Sequence, residues 1–327
     1  MELIRGKMIS NKGLQACTSV LMIRPVSFCG NLETLSTNAF QKKDHGLSLG
    51  EIQSRALEEF DNYVKILRSH DVLVHTFEDN SETHTPDSIY PNNWLSVHPD
   101  GKILTYPMAT ESRRLERRSD IIDFIKGHYQ ITDHHDLGHY ASEGRYLEGT
   151  GSVVFDYPHK RAYACLSART DQGLFEELCE YLEYEAISFR AVDAKLTAIY
   201  HTNVMMHVGE SCAVVCLEVV PDFGEREKIL SSLRETGHEV LLISLDQMKS
   251  FCANILEVSN HNGEVLLLMS EQARKAYTKQ QLRLLEKNTK ILSTSLQTIE
   301  SAGGGGARCM LAGIHAVSQD CSITFSP

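Results

Sequence analysis

The feature that most constrains this chain is a repeat. A hairpin-like segment, a helix-like segment and a strand-like segment recur in the same order at roughly 50–60 residues, a period that marks a repeat architecture. "DSIYPNNWLSVHPDGKILTYPM" leads into the charged "RRLERRSDIIDFIKGH" and then "YQITDHH". "RYLEGTGSVVFDYPHKRAYACLSA", "TDQGLFEELCEYLEYE" and "AISFRAV" form a second copy. "TAIYHTNVMMHVGESCAVVCLEVV", "DFGEREKILSSLRETG" and "HEVLLISL" form a third. A fourth runs from "SFCANILEVSNHNGEVLLLMS" through "EQARKAYTKQQLRLLEKN" to "TKILSTSL", and residues 17–77 supply a fifth, more degenerate one. Asp-Gly in "HPDGK" and Asn-Gly in "SNHNGE" are strong hairpin signals. Leu174, Leu178 and Leu182 recur at helical spacing. The antiparallel hairpin in every copy argues against a doubly wound parallel sheet. The expected fold is α/β, built of five ββαβ units. These account for nearly all of the 327 residues with no Pro/Ser-rich linker, so a single domain over 1–327 is expected.

Composition narrows the partners. The formal net charge is −11 and there is no Lys/Arg block, which argues against a nucleic-acid backbone. No apolar run approaches the ~18 residues of a membrane span. The N-terminal "MELIRGKMISNKGLQA" has no apolar core of the kind a secretory signal needs, so none is expected. The nine cysteines are irregularly spaced and include no zinc-type CxxC pair. Cys165, Cys212 and Cys216 fall in apolar strand-like runs. They read as reduced core residues of a cytoplasmic protein.

If five units close around an axis, their first strands converge on it. Those strands carry "YPNNW", "LEGTGS", "YHTNVMM" and "FCANI", which places Asn92 and Asn93, Glu148, His201 and Asn203, and Asn254 at matching positions. One buried polar residue in a strand is ordinary. A ring of them at the repeat register asks for a site. Near the C-terminus, "SAGGGGARCMLAGI" runs four glycines into Cys309. Such a run is either a flexible linker or a backbone that must pass close to something else. The apolar "CMLAGIHAV" that follows suits a strand returning to complete the first unit and bringing Cys309 to the centre. A cysteine, a histidine and a glutamate brought together are the parts of a nucleophilic site.

In "MIRPVSF", "PNNW", "EGTGS", "YHTNVMM" and "GGGGARCML" the chain resembles the amidinotransferase and deiminase superfamily of guanidino-group-modifying enzymes. It is most similar there to the citrulline-utilisation hydrolase branch, related to arginine deiminases. The resemblance covers essentially the whole chain. It implies a five-bladed α/β-propeller, the pentein fold, with Cys309 as nucleophile, His201 as general acid/base and Glu148 as the partner of His201. It also matches Arg113 in "MATESRRLER" and Arg169 in "LSARTDQ" to residues that hold a substrate carboxylate. An arginine fork suits a carboxylate.

One departure bears on substrate. Relatives acting on guanidinium groups carry aspartates where this chain has Asn93 and Asn203. A buried guanidinium needs an opposing charge, whereas an amide offers one acceptor and two donors. That pattern suits a neutral ureido group. The expected function is therefore hydrolysis of citrulline to ornithine, ammonia and carbon dioxide through a covalent cysteine intermediate, with no metal or organic cofactor. The alternatives are hydrolysis of arginine or dimethylarginine, amidino transfer, and a non-catalytic propeller that binds a small amino acid. The expected partner is a small-molecule substrate, not nucleic acid or membrane, and a homo-oligomer stays open.

Overall fold

Each repeat folds as three strands, the first two antiparallel and the last two parallel. In this computed structural model, which describes residues 15–35, 37–42, 46–80 and 82–319, the strands are β1 (Ser19–Arg24), β2 (Leu73–Glu78), β3 (Leu95–Val97), β4 (Lys102–Thr105), β5 (Asp133–Asp136), β6 (Val154–Asp156), β7 (Arg161–Cys165) and β8 (Glu185–Phe189). They continue as β9 (Met206–Val208), β10 (Cys212–Val215), β11 (Glu239–Leu242), β12 (Leu256–Ser259), β13 (Val265–Ser270), β14 (Lys290–Thr294) and β15 (Ala312–Ile314). Most of the N-terminal stretch read above for a secretory signal, residues 1–14, lies outside the described residues.

Three units stand as separate sheets, β6-β7-β8, β9-β10-β11 and β12-β13-β14. The other two share a six-stranded sheet of order β2-β1-β15-β3-β4-β5. Within it, β15 pairs antiparallel with β1 and β1 pairs parallel with β2, as in the other units. The C-terminal strand thus returns to complete the first unit, as the glycine-led segment suggested. Only the register Ile314↔Val97 joins that unit to the next. The strands form four sheets, and hydrogen bonding does not close the five units into one ring.

Parallel neighbours need a crossover, and in every unit a helical segment supplies it. The longest helix, Leu49–Ser69, opens with a capping box of Ser48 and Glu51 and buries Ile52, Ala56, Phe60, Tyr63, Val64 and Leu67 on one face. In Gln172–Leu182 the buried residues include the expected Leu174, Leu178 and Leu182, and Asp171 caps the start through Leu174 N at 2.8 Å. The hairpin turns also form where Asp-Gly and Asn-Gly stand, with Gly101 at φ 85° and Gly263 at φ 77°. That left-handed region is open to glycine without steric cost. Cys165 and Cys216 are buried and Cys212 half-buried, and all three are free.

One expectation is corrected. The ring of polar residues does not interrupt the first strands. Asn92 and Asn93 sit in the helical turn Pro91–Asn93 ahead of β3, and Glu148 precedes the turn Gly149–Ser152 ahead of β6. His201 and Asn203 flank and enter the turn Thr202–Val204 ahead of β9, and Asn254 lies two residues before β12. A side chain within a strand is committed to one sheet face. A turn at the strand's mouth frees these side chains to converge.

Candidate active site

The convergent turns and the C-terminal glycine segment form a narrow cleft lined by Asn93, Arg113, Arg169, His201 and Cys309, among others. The glycines allow this close packing. A Cβ on Gly303 would fall 2.0 Å from Tyr90 Oη, and one on Gly305 would fall 2.8 Å from the Tyr90 ring. Tyr200 Oη donates to Gly304 O at 2.8 Å, and Gly304 takes φ 70° to end the helix Gln297–Gly303. The glycine run is therefore a packed wall carrying the thiol, not a linker.

Cys309 is buried and its Sγ accepts from two amides, Asn254 Nδ2 at 3.1 Å and Asn203 Nδ2 at 3.5 Å. Asn254 is oriented without ambiguity, because its Oδ1 accepts from the backbone N–H of Arg308 at 3.1 Å and of Cys309 at 3.4 Å. Burial raises the Cys309 thiol pKa, against the lowering pull of Asn254, Arg308, Gly306 and Asn203. The free protein therefore holds a thiol here.

His201 Nε2 lies 2.8 Å from Glu148 Oε2. Burial alone would push the Glu148 carboxyl up, but Arg169, His201 and Arg113 together hold it well below the usual range. An ionised carboxylate only accepts, so His201 Nε2 carries the proton and Nδ1 keeps the lone pair. Burial lowers the His201 pKa to about 4 despite Glu148. The resting imidazole is a neutral base. Gly151 makes room for it, since a Cβ there would lie 2.7 Å from His201 Nδ1 and 2.4 Å from Asn93 Nδ2.

The two arginines are placed at the cleft but are already engaged. Arg113 grips Glu116 through Nε at 3.0 Å and Nη2 at 3.1 Å, and donates through Nη1 to Asn93 Oδ1 at 2.8 Å. Arg169 donates to Thr37 Oγ1 and Thr34 O, approaches Glu148 Oε2 at 3.4 Å, and stacks over the Tyr200 ring at 5.0 Å. Because arginine only donates, Arg113 fixes the Asn93 amide with its oxygen turned away and its Nδ2 unpartnered. Asn203 Oδ1 is likewise buried without a partner. Asn93 lines the cleft with an N–H free to donate, whereas Asn203, whose Nδ2 reaches the Cys309 thiol, lines the neighbouring cavity with His207 and Arg308.

Several residues escaped the reading of motifs. Asp87 lines the cleft with Oδ1 unpartnered, its other oxygen taking Asn31 Nδ2 at 2.9 Å. Residues 37–42 reach the site, with Asn38 lining the cleft, its Nδ2 on Gly303 O at 3.1 Å, and Lys42 N on Ser301 O at 2.9 Å. Nothing in a single sequence marks that segment. Asn254 stood in the polar ring, but its contact with the thiol needed the tertiary structure.

The fold is that of the guanidino-group-modifying enzymes of the amidinotransferase and deiminase superfamily. The profile of the family described as "N,N dimethylarginine dimethylhydrolase, eukaryotic" matches residues 24–316, and the chain belongs to that family of hydrolases acting on non-peptide C–N bonds. Among solved structures the chain is similar to ArgZ, an arginine dihydrolase from the ornithine-ammonia cycle in cyanobacteria, with a TM-score of 0.69 and 17% identity over 90% of this chain. It spans 40% of the full ArgZ chain. Against the product-bound N-terminal domain of ArgZ the same values hold, and 96% of that domain is covered. It is also similar to a dimethylarginine dimethylaminohydrolase variant bearing an adduct with S-methyl-L-thiocitrulline, with a TM-score of 0.61, 14% identity, and coverage of 90% of this chain and 98% of that one. These likenesses are of fold. No curated protein matches the chain by sequence. No helix among the described residues is long and apolar enough to cross a membrane.

Proposed function

We propose that the protein is a cysteine hydrolase that cleaves the ureido group of citrulline to ornithine, ammonia and carbon dioxide. The observation that carries this reading is the orientation of Asn93. Arg113 takes its oxygen, so the group left free, over Gly151 and beside His201, is a donor. A ureido carbonyl oxygen needs a donor, which Asn93 offers, and the uncharged Asn203 amide beside the thiol places no carboxylate there for a guanidinium. A guanidinium has no acceptor for Asn93 to serve, and the buried donor would stay unsatisfied.

In the proposed sequence, Cys309 Sγ loses its proton to His201 Nδ1 as it attacks the ureido carbon. Asn203 and Asn254 steady the developing thiolate. Glu148 stabilises the imidazolium. His201 returns the proton to the δ-nitrogen, the C–N bond breaks, ornithine leaves and a carbamoyl group remains on sulfur. His201 then takes a proton from water as its oxygen bonds to the carbamoyl carbon; the C–S bond breaks, Cys309 Sγ takes the proton from His201, and carbamate is released. Carbamate decays to ammonia and carbon dioxide. The Arg169 guanidinium faces the substrate carboxylate by exchanging its hold on Thr34 and Thr37. Arg113 acts by orienting Asn93 and shares that carboxylate, and Asp87 takes the α-ammonium.

The rival is a guanidino amino acid, arginine or a methylated arginine, as in the family's description and in ArgZ. It is favoured if the free oxygen of Asp87 meets the guanidinium and not the α-ammonium. We further propose a single cytoplasmic domain whose five units stand as blades about one axis. Separate sheets suit that arrangement, since each propeller blade is its own sheet. The test is incubation with citrulline, arginine, dimethylarginine and agmatine, assaying ornithine, methylamine and ammonia. Ornithine and ammonia in equal amounts from citrulline support the reading. A higher kcat/KM for arginine overturns the substrate, and no turnover of any of the four overturns catalysis.

A further inference from the structure

Away from the cleft, the last residue of β6, the β6–β7 turn and the residue before β11 bring together Asp156, His159 and His238, each offering a ligand atom within 4.8 Å of the others. We propose that these three residues bind a divalent transition-metal ion of the zinc class, tying the β6–β7 turn to the neighbouring unit.

Three observations carry this. First, Asp156 Oδ2 is buried without a hydrogen-bond partner, while Oδ1 holds the turn through His159 N at 3.3 Å and His159 Nδ1 at 2.8 Å. The nearest base to Oδ2 is His238 Nδ1 at 3.9 Å, too far for a hydrogen bond. Second, His238 Nε2 lies 3.0 Å from Gly209 O. A carbonyl only accepts, so Nε2 carries the proton and Nδ1 keeps a lone pair on the side of Asp156. A histidine that donates its far N–H to a backbone carbonyl is arranged as metal-binding histidines are. Third, Thr236 Oγ1, which contacts His238 Nδ1 at 2.8 Å, also has the carbonyls of Leu233 at 3.0 Å and Ser232 at 3.2 Å to donate to. It can release Nδ1 to an ion and stay satisfied.

Two imidazoles and one carboxylate are a recurrent set for zinc, with the fourth position left to water. Bonds of roughly 2.0–2.1 Å in a tetrahedron put ligand atoms about 3.4 Å apart. The present spacing must contract. His159 can supply that movement, because its side chain is 40% exposed while Asp156 and His238 are held in place. No Lys or Arg side chain lies within 4 Å of the Asp156 carboxylate among the described residues. The cluster is therefore open to a cation.

The test uses the full chain carrying Cys309→Ala, which removes the cleft thiol as a rival ligand. The protein is stripped with chelator, then titrated with zinc sulfate against a competing chromophoric chelator. One equivalent should bind and raise Tm. His159→Ala, an exposed change that should keep the unliganded Tm, should weaken binding at least tenfold, as should Asp156→Asn. Cobalt should give a visible d–d spectrum without a thiolate charge-transfer band. Zinc affinity that His159→Ala leaves unchanged, or the absence of any site stronger than a lone surface histidine, overturns the proposal.

Discussion

Asn93→Asp puts the substrate argument at risk most directly. The new carboxylate can keep the bond to Arg113 Nη1, now 2.8 Å from Asn93 Oδ1. The unpartnered Nδ2 becomes an oxygen that accepts and cannot donate. Citrulline then loses the donor to its ureido oxygen and leaves a buried polar group unsatisfied, at about 1–3 kcal/mol. A guanidinium gains a charge-assisted bond of about 1.5–3 kcal/mol. The two effects act in opposite directions on the two substrates. Their sum would move the specificity ratio by roughly two to four decades, at about 1.36 kcal/mol per decade. Arg113 already neutralises much of the new charge, so the lower end, about two decades, is expected. The assay is kcat/KM for citrulline and for arginine in wild type, Asn93→Asp and the Asn93→Asp/Asn203→Asp double variant, with Tm measured to show that each folds. The ratio should shift toward arginine in the first variant and further in the second. A ratio unchanged within about threefold would refute the reasoning, because the amide would then not be reading the substrate's charge.

Further outcomes follow from the same geometry. Cys309→Ala should abolish turnover and keep a wild-type circular dichroism spectrum; residual activity near wild type would remove it as nucleophile. Arg169→Ala should raise KM for citrulline by roughly one to two decades, each lost charged hydrogen bond being worth about 1.5–3 kcal/mol, and the effect should shrink for a decarboxylated analogue. Gly303→Ala should lower Tm sharply, since the new Cβ would collide with Tyr90 Oη through backbone that cannot yield freely. Burial lowers His75, His98 and His201 to about 4 and His207 and His315 to about 3. The unfolded chain protonates these imidazoles near 6.5 and the folded chain resists, so their stability contribution is present above about pH 6.5 and is lost as pH falls toward 4. Glu116, Glu257 and Glu300, raised by burial to about 8, about 7 and about 8, pull the other way as pH rises from about 4.5. With more histidines than carboxyls in play, Tm should fall from pH 6.5 to 5; a flat or rising profile would show that the imidazoles are not held neutral.

The sequence by itself determined the local units and the chemical kinds of the site residues. Hydrophobic spacing, Asp-Gly and Asn-Gly turns and the recurrence of the whole pattern act over a few residues, so they are readable without contacts. The polar groups at the repeat register and the glycine run before Cys309 were visible for the same reason. The tertiary structure decided what those groups do. Asn93 became a donor only because Arg113, twenty positions away, holds its oxygen. Glu148 is ionised because two guanidinium groups and an imidazole meet it in a buried volume. Asp87 and Asn38 reach the cleft through long-range packing, and Asp156 meets His238 across two units. Hydrogen-bond direction and ionisation depend on which groups face one another at about 3 Å, and that arrangement arises only when distant segments fold together.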